Sequence, residues 1–268
     1  MRTAVAVAVL TAVGVATLSE TDRPAEPVTE RPRAVGVVHA PVPPARLSPL
    51  PPAVAGSGGF AFAAVQPHDT SRPVAFDPCR PVRWAVRRDG EIPGGDALLE
   101  EAVAQVAAAT GLVFERLPDT DETPSKDRSL VQPDRYGPGI VPVLVAWTDE
   151  DGWPALRGLV AGIAGGQWLD GGGVDSRRYV TGHLLLDAEQ LMETLDGHDG
   201  RARVRAVLLH ELAHVVGLGH VDDPDALLAP LHADQPGYGP GDLRGLRAVG
   251  AGECFTDWDV VEGPSRGQ

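Results

Sequence analysis

Apolar residues along the middle of the chain recur at two different spacings. Residues 96–110 carry apolar side chains at helical spacing, and Asp96 is suited to cap the first turn, which predicts a long helix. Shorter apolar runs predict strands at residues 80–86, 112–117, 140–147, 158–168 and 179–187. A second helix is predicted where an apolar face is formed by Leu208, Leu209, Leu212, Val215 and Val216.

This second helix carries an unusual set of polar residues in the order H-E-x-x-H-x-x-G-x-x-H. His210 and His214 lie one helical turn apart, so both rings can reach one metal ion. Gly217 allows a left-handed turn that brings His220 back as a third ligand. Because three protein ligands leave a fourth position open, the spacing predicts a catalytic zinc site.

Glu211 is the carboxylate placed beside this predicted zinc. In peptide hydrolysis a carboxylate takes a proton from the zinc-activated water and passes it to the leaving amine, so we expect Glu211 to act as general base. The alternative is an amphipathic core helix that carries histidines by chance. The added glycine and third histidine favour the zinc site.

These residues resemble the metzincin zinc endopeptidases, and within them the matrixin-like branch (peptidase M10 type). Matrixins place a methionine-containing turn, A-L-M-x-P, after the third histidine. Here residues 226–230 are A-L-L-A-P, so Leu228 stands in place of the methionine, followed by Pro230. The resemblance further implies substrate-pocket residues at His232 and Tyr238, and a C-terminal helix over residues 239–250 that keeps one family acid, Asp242.

The resemblance implies an α+β metzincin (zincin-like) fold. We expect a twisted, five-stranded, mostly parallel sheet with an antiparallel edge strand, an active-site helix, and a small irregular C-terminal subdomain ending in a helix. Residues 158–168 would form the edge strand, to which an extended peptide can add as a further strand.

Matrixins also bind structural zinc and calcium, which makes the acidic residues before the catalytic helix candidates for further ligands. These candidates are Asp149, Glu150, Asp151, Asp170, Asp175, His183, Asp187 and Glu189. The family's short H-x-D spacing is absent, since His183 and Asp187 are four positions apart. We therefore favour a solvated acidic face, and a calcium site stays open as the alternative without a clear motif.

The chain divides into four predicted regions. Residues 1–20 hold an uncharged apolar run typical of a signal peptide or an N-terminal anchor, and residues 21–59 are proline-rich and predict a disordered linker. A propeptide is the competing interpretation of this linker. Residues 60–256 form the predicted matrixin-like protease domain, and residues 257–268 a polar tail.

Cys79 and Cys254 are the chain's two cysteines. In an exported protein they are expected to pair as a disulfide, which would join the two ends of the domain. The alternative is a thiol switch, because matrixin propeptides place a cysteine on the zinc.

The net charge of −14 and a single lysine argue against a nucleic-acid surface. The sequence therefore predicts a secreted or extracellular, monomeric zinc endopeptidase that acts on polypeptides. Stable membrane association is expected only if the N-terminal segment stays uncleaved. The alternative function is a catalytically silent, zinc-stabilised extracellular binding domain.

Overall fold

The computed structural model describes residues 45–170, 174–230 and 235–255. Several sequence predictions concern residues outside these ranges: the signal peptide or anchor, the first part of the linker, His232, and the polar tail. Among the described residues, no helix is both long enough and apolar enough to cross a membrane.

Seven strands and five α-helices follow one another along the described chain. The strands are β1 (Ala61–Phe62), β2 (Val82–Arg87), β3 (Phe114–Arg116), β4 (Val143–Thr148), β5 (Gly162–Leu169), β6 (Arg178–Asp187) and β7 (Leu218–Gly219). The helices are α1 (Gly95–Thr110), α2 (Pro133–Tyr136), α3 (Ala188–Asp196), α4 (Gly200–Val216) and α5 (Pro240–Gly250), with a short 3-10 helix at Pro154–Leu156.

Five of the strands form one sheet in the order β3-β2-β4-β6-β5. The pairs β2–β3, β2–β4 and β4–β6 are parallel, whereas β5 runs antiparallel to β6 at the edge. The predicted α+β fold with a mostly parallel five-stranded sheet and an antiparallel edge strand is confirmed. Near-continuous apolar strands such as β4 fit this arrangement, because strands in a parallel sheet are covered on both faces.

Helices α1 and α4 pack against each other and cover one face of the sheet. Alternate residues of β4, such as Val143, Val145 and Trp147, belong to this main core. Leu144 and Ala146 point the other way and form a small cluster with Leu185 and the partly buried Trp153. The C-terminal half of α4 is buried all round, so its polar residues lie inside the molecule rather than on its surface.

Residues 45–63, here called the N-terminal arm, lie against the domain. Most of this stretch falls within the segment predicted to be a disordered linker, and over residues 45–59 it contains neither helix nor strand. Arg247 Nε donates to Pro51 O (2.9 Å), and Arg244 Nη1 donates to Gly56 O (2.7 Å). These hydrogen bonds form because the backbone carbonyls of a proline-rich segment are not used in a helix or strand, and α5 supplies arginine donors for them.

The end of the arm also pairs with the chain close to the histidine motif. Strand β1 lies antiparallel to β7, with Phe62 opposite Leu218. Ala63 N donates to Gly217 O at 2.8 Å. The arm therefore supports the segment that leads from α4 to His220.

Replacing both Arg244 and Arg247 by alanine is expected to loosen the arm. The double variant loses charged hydrogen bonds to the arm's carbonyl groups, and the free energy of unfolding should fall by about 1–3 kcal/mol. Thermal unfolding and limited proteolysis within residues 45–59 measure the change. Arg157→Ala, on an exposed loop, is the control. Unchanged protease resistance of the arm would contradict this account.

Cys79 and Cys254 form a disulfide, as predicted from the cysteine count, with a Cα–Cα distance of 5.3 Å. The bond joins the segment before β2 to the residues that follow α5, across 175 positions of sequence. Cys79 is fully buried. Both cysteines are therefore paired with each other, and no free thiol is left among the described residues.

Candidate metal centre

Three imidazole nitrogens meet at the C-terminal end of α4. His210 Nε2 lies 2.9 Å from His214 Nε2 and 3.1 Å from His220 Nε2, and His214 Nε2 lies 3.3 Å from His220 Nε2. Two nitrogens bound to tetrahedral zinc at 2.0–2.1 Å are about 3.3 Å apart, so this spacing fits one shared ion. The donor set of three imidazoles suits zinc as well.

Backbone carbonyls orient two of the three rings. His210 Nδ1 lies 2.7 Å from Leu227 O, and His214 Nδ1 lies 2.7 Å from Leu218 O. A carbonyl oxygen only accepts hydrogen bonds, so each Nδ1 carries the proton and donates it. The Nε2 atoms of His210 and His214 therefore present lone pairs to the centre, which is the tautomer that a metal requires.

Gly217 ends α4 and turns the chain toward His220. Its φ of 113° lies in the left-handed region, where side chains with a Cβ are strained. The space is closed as well, since a Cβ here would lie 2.9 Å from the Tyr179 ring and 3.2 Å from Val74 O. Glycine is therefore needed at this position on both counts.

The turn over residues 226–230 is hydrogen-bonded both to His210 and to Asp242 in α5. The Asp242 carboxylate accepts hydrogen bonds from Leu227 N (2.8 Å), Gly239 N (2.9 Å) and Leu228 N (3.3 Å). Leu228 is buried in the main core, and its carbonyl accepts from Val221 N at 3.0 Å. The carbonyl of the same Leu227 accepts the hydrogen bond from His210 Nδ1. Asp242 therefore holds the backbone residue that orients His210.

Glu211 is wholly buried, and neither carboxylate oxygen has a hydrogen-bond partner among the described residues. Burial raises the pKa of this carboxyl group to about 8. An unpartnered buried carboxylate is costly, so a purely structural role for Glu211 is disfavoured. Such a group is typical of a site where the carboxyl is kept for chemistry.

The structure places the other predicted site residues in different surroundings. Tyr238 donates its hydroxyl hydrogen to Leu209 O at 2.6 Å, directly before His210 in α4, and burial raises the pKa of this phenol. Its role in a substrate pocket stays a prediction. Pro230 is exposed at the end of the 226–230 turn.

Three of the acidic candidates before α4 have individual partners. Asp187 caps α3 by accepting from Gln190 N (3.0 Å), Asp170 pairs with Arg177 (2.9 Å), and Asp175 accepts from His68 N (2.7 Å). Among the described residues, two clusters have metal-ligand geometry: the three histidines, and Asp77 with the two disulfide-bonded cysteines. The sequence-based calcium alternative therefore has no assembled cluster in the described part of the chain.

His183 lies on β6, away from the three-histidine cluster, with its ring 6.1 Å from that of Trp153. Burial, and in second place the positive charge of Arg128, lower the pKa of His183 to about 4. In the unfolded chain a histidine titrates at about 6.5, so only the unfolded state takes up a proton between these values.

The free energy of unfolding is therefore expected to decrease as the pH falls from about 6.5 to about 4, and His183 contributes to this slope. His183→Gln should flatten the slope in denaturant titrations across this range. His198→Gln, at a fully solvent-facing position, is the control. An unchanged slope in His183→Gln would contradict the assignment.

A model of the matrixin family (Peptidase M10) matches residues 172–242, which include the histidine motif, the 226–230 turn and Asp242. This part of the chain is similar to the matrixin family. The match and the three-histidine cluster support the general class of zinc metallopeptidases.

Among solved structures, the chain is similar to the crystal structure of archaemetzincin from Methanopyrus kandleri. The two share 16% sequence identity with a TM-score of 0.36, over 62% of this chain and 93% of that chain. At this level the likeness carries no argument about function. No curated protein matches the chain.

Proposed function

We propose that this protein is a secreted zinc-dependent endopeptidase in which Glu211 is the general base. The observation that carries the proposal is the combination of three Nε2 atoms within 3.3 Å of one another and a buried, unpartnered carboxylate on the adjacent residue. Neither feature stabilises an apolar core, and together they supply what peptide hydrolysis needs.

His210, His214 and His220 would hold the zinc ion. When bound, zinc acts as a Lewis acid that makes water more acidic and polarises the scissile carbonyl. The Glu211 carboxylate accepts the proton of the attacking water and then donates it to the nitrogen of the leaving amine. The carbonyls of Leu218 and Leu227 keep two of the rings in the required tautomer throughout.

Strand β5 provides a place for an extended polypeptide. It ends the sheet order and packs against α4, so its outer edge has no neighbouring strand among the described residues. An unpaired edge can bind a peptide through backbone hydrogen bonds, which gives affinity with little dependence on side chains. A polypeptide is therefore the proposed substrate.

The proposal of export rests on the apolar run near the N-terminus and on the disulfide between Cys79 and Cys254. Disulfides persist in oxidising compartments and are rare in the cytosol. We further propose a monomer without nucleic-acid partners, since its net charge of −14 repels polyanions.

A catalytically silent, zinc-stabilised binding domain is the second candidate. Leu228 favours it, because the matrixin pattern has methionine at this place in the turn. Leucine and methionine are close in volume, and such exchanges in a packed site cost under about 1.5 kcal/mol. The unpartnered Glu211 opposes this second function, because a silent domain has no use for a buried free carboxylate.

Metal analysis and cleavage of a quenched peptide by the purified protein test the proposed function. We expect one zinc per chain and peptide cleavage that a chelator removes and added zinc restores. Stoichiometric zinc without cleavage of casein or of a peptide library would instead support the binding domain.

A further inference from the structure

The Glu211 side chain lacks hydrogen bonds to described residues, so its position must be set by packing. One residue against which it packs is Gly162, the first residue of the edge strand β5. A Cβ added to Gly162 would lie 2.8 Å from Glu211 Cγ, 3.0 Å from Cδ and 3.1 Å from Oε1. The carboxylate group thus occupies the space that a side chain at residue 162 would fill.

The backbone at Gly162 does not itself require glycine. Its φ lies outside the left-handed region, and the residue pairs with Leu186 in regular antiparallel register. Since alanine can adopt such a conformation, only the close approach of Glu211 accounts for the need of glycine here.

The neighbouring glycines of β5 have different surroundings. Gly165 faces open space, because an added Cβ would meet nothing within 4 Å. Gly166 faces the other elements of the core, where a Cβ would lie 2.5 Å from the Tyr179 ring and 2.8 Å from Val215 O. The three glycines of β5 therefore differ: Gly162 contacts the Glu211 carboxylate, Gly165 faces open space and Gly166 contacts the core.

We propose that Gly162 is a positioning residue for Glu211: the absence of a side chain at this position forms the slot that sets the location of the carboxylate. The contribution to catalysis rests on the proposed function, whereas the steric contact between the two residues does not. A methyl group at residue 162 would displace Glu211 from the position in which it exchanges protons with the substrate.

Thermal unfolding of a double-mutant cycle tests this role. Gly162→Ala, Gly165→Ala and Gly166→Ala are each made in the unmutated chain and in Glu211→Ala, and the zinc content of every variant is measured. Glu211→Ala removes Cγ, Cδ and Oε1, the three atoms that the new methyl group would meet.

Gly162→Ala is expected to lower the Tm by several degrees in the unmutated chain and to leave it unchanged or raised in Glu211→Ala. Gly166→Ala should lower the Tm in both backgrounds, and Gly165→Ala in neither. If Gly162→Ala fails to fold alone, the double variant Gly162→Ala/Glu211→Ala should fold. An equal loss of Tm from Gly162→Ala in both backgrounds, no loss in either, or failure of the double variant to fold would overturn the proposal.

Kinetics on a quenched peptide provide the second readout. Gly162→Ala with full zinc content should lower kcat by about 100-fold, the scale of a misplacement near 1 Å, with KM nearly unchanged. A loss confined to KM would overturn the positioning role. If the unmutated protein cleaves nothing, the proposed function fails, and the thermal cycle still decides whether Gly162 positions Glu211.

Discussion

Glu211→Gln should lower kcat/KM for peptide cleavage by about 10²–10⁴-fold while the protein keeps its zinc. The amide has nearly the shape of the carboxylate but does not accept the proton of the attacking water. The three histidines form the metal-ligand cluster, and none of them is hydrogen-bonded to a Glu211 oxygen. Zinc binding should therefore be preserved. Peptide cleavage and metal analysis on the same preparation measure both properties.

The same substitution should not destabilise the protein. Removing an unpartnered buried carboxylate removes an unfavourable group, so the Tm of Glu211→Gln should equal or exceed that of the unmutated chain. Glu193→Gln, which makes the same substitution at an exposed position on α3, is the control. Retained cleavage by Glu211→Gln would refute its role as general base.

Asp242→Ala should destabilise the fold and weaken zinc binding together. The substitution leaves the backbone N–H groups of Leu227 and Leu228 in the buried turn, and that of Gly239 at the start of α5, without their acceptor. The expected loss in the free energy of unfolding is about 2–5 kcal/mol. The same turn carries the carbonyl that orients His210, so zinc affinity should also fall by about 10–100-fold.

Denaturant unfolding of the zinc-free protein and competition with a zinc chelator separate these two effects of Asp242→Ala. Asp225→Ala, at an exposed position near the same turn, is the control. Zinc affinity unchanged in a folded Asp242→Ala variant would show that the turn does not position His210.

The main sheet could be predicted because its strands are apolar and short, and because α1 has apolar residues at regular helical spacing. The limits of strands were less predictable. The predicted edge strand began at residue 158, whereas β5 begins at Gly162, because Gly158 has a φ of 93° and Leu159 is 54% exposed. The sequence analysis does not predict helix α3, and it assigns the capping residue Asp187 to the end of a strand and to the candidate metal ligands.

The N-terminal arm could not be predicted from local composition. Its prolines predict a chain without helix or strand, and the structure contains neither over residues 45–59. Whether such a segment packs against the domain depends on hydrogen-bond donors about 190 positions away, such as Arg244 and Arg247. Contacts of this kind leave no periodic signal in the segment itself.

The three histidines were predictable because their spacing directly reflects helical geometry and a glycine turn. Their supports were not, since carbonyl groups such as those of Leu218 and Leu227 belong to every residue type. Asp242 could be recognised in the sequence, because it is the one acid of the family's C-terminal pattern that this chain keeps. Gly162 could not be recognised in the sequence, because its contact with Glu211 arises from the packing of β5 against α4.

X-ray absorption at the zinc edge, recorded on the zinc-loaded protein, tests most directly whether the three histidines form one metal site. The account predicts three imidazole nitrogens at about 2.0–2.1 Å in the unmutated protein and one fewer in His220→Ala. Absence of stoichiometric zinc, or a coordination shell of His220→Ala identical to that of the unmutated protein, would contradict it.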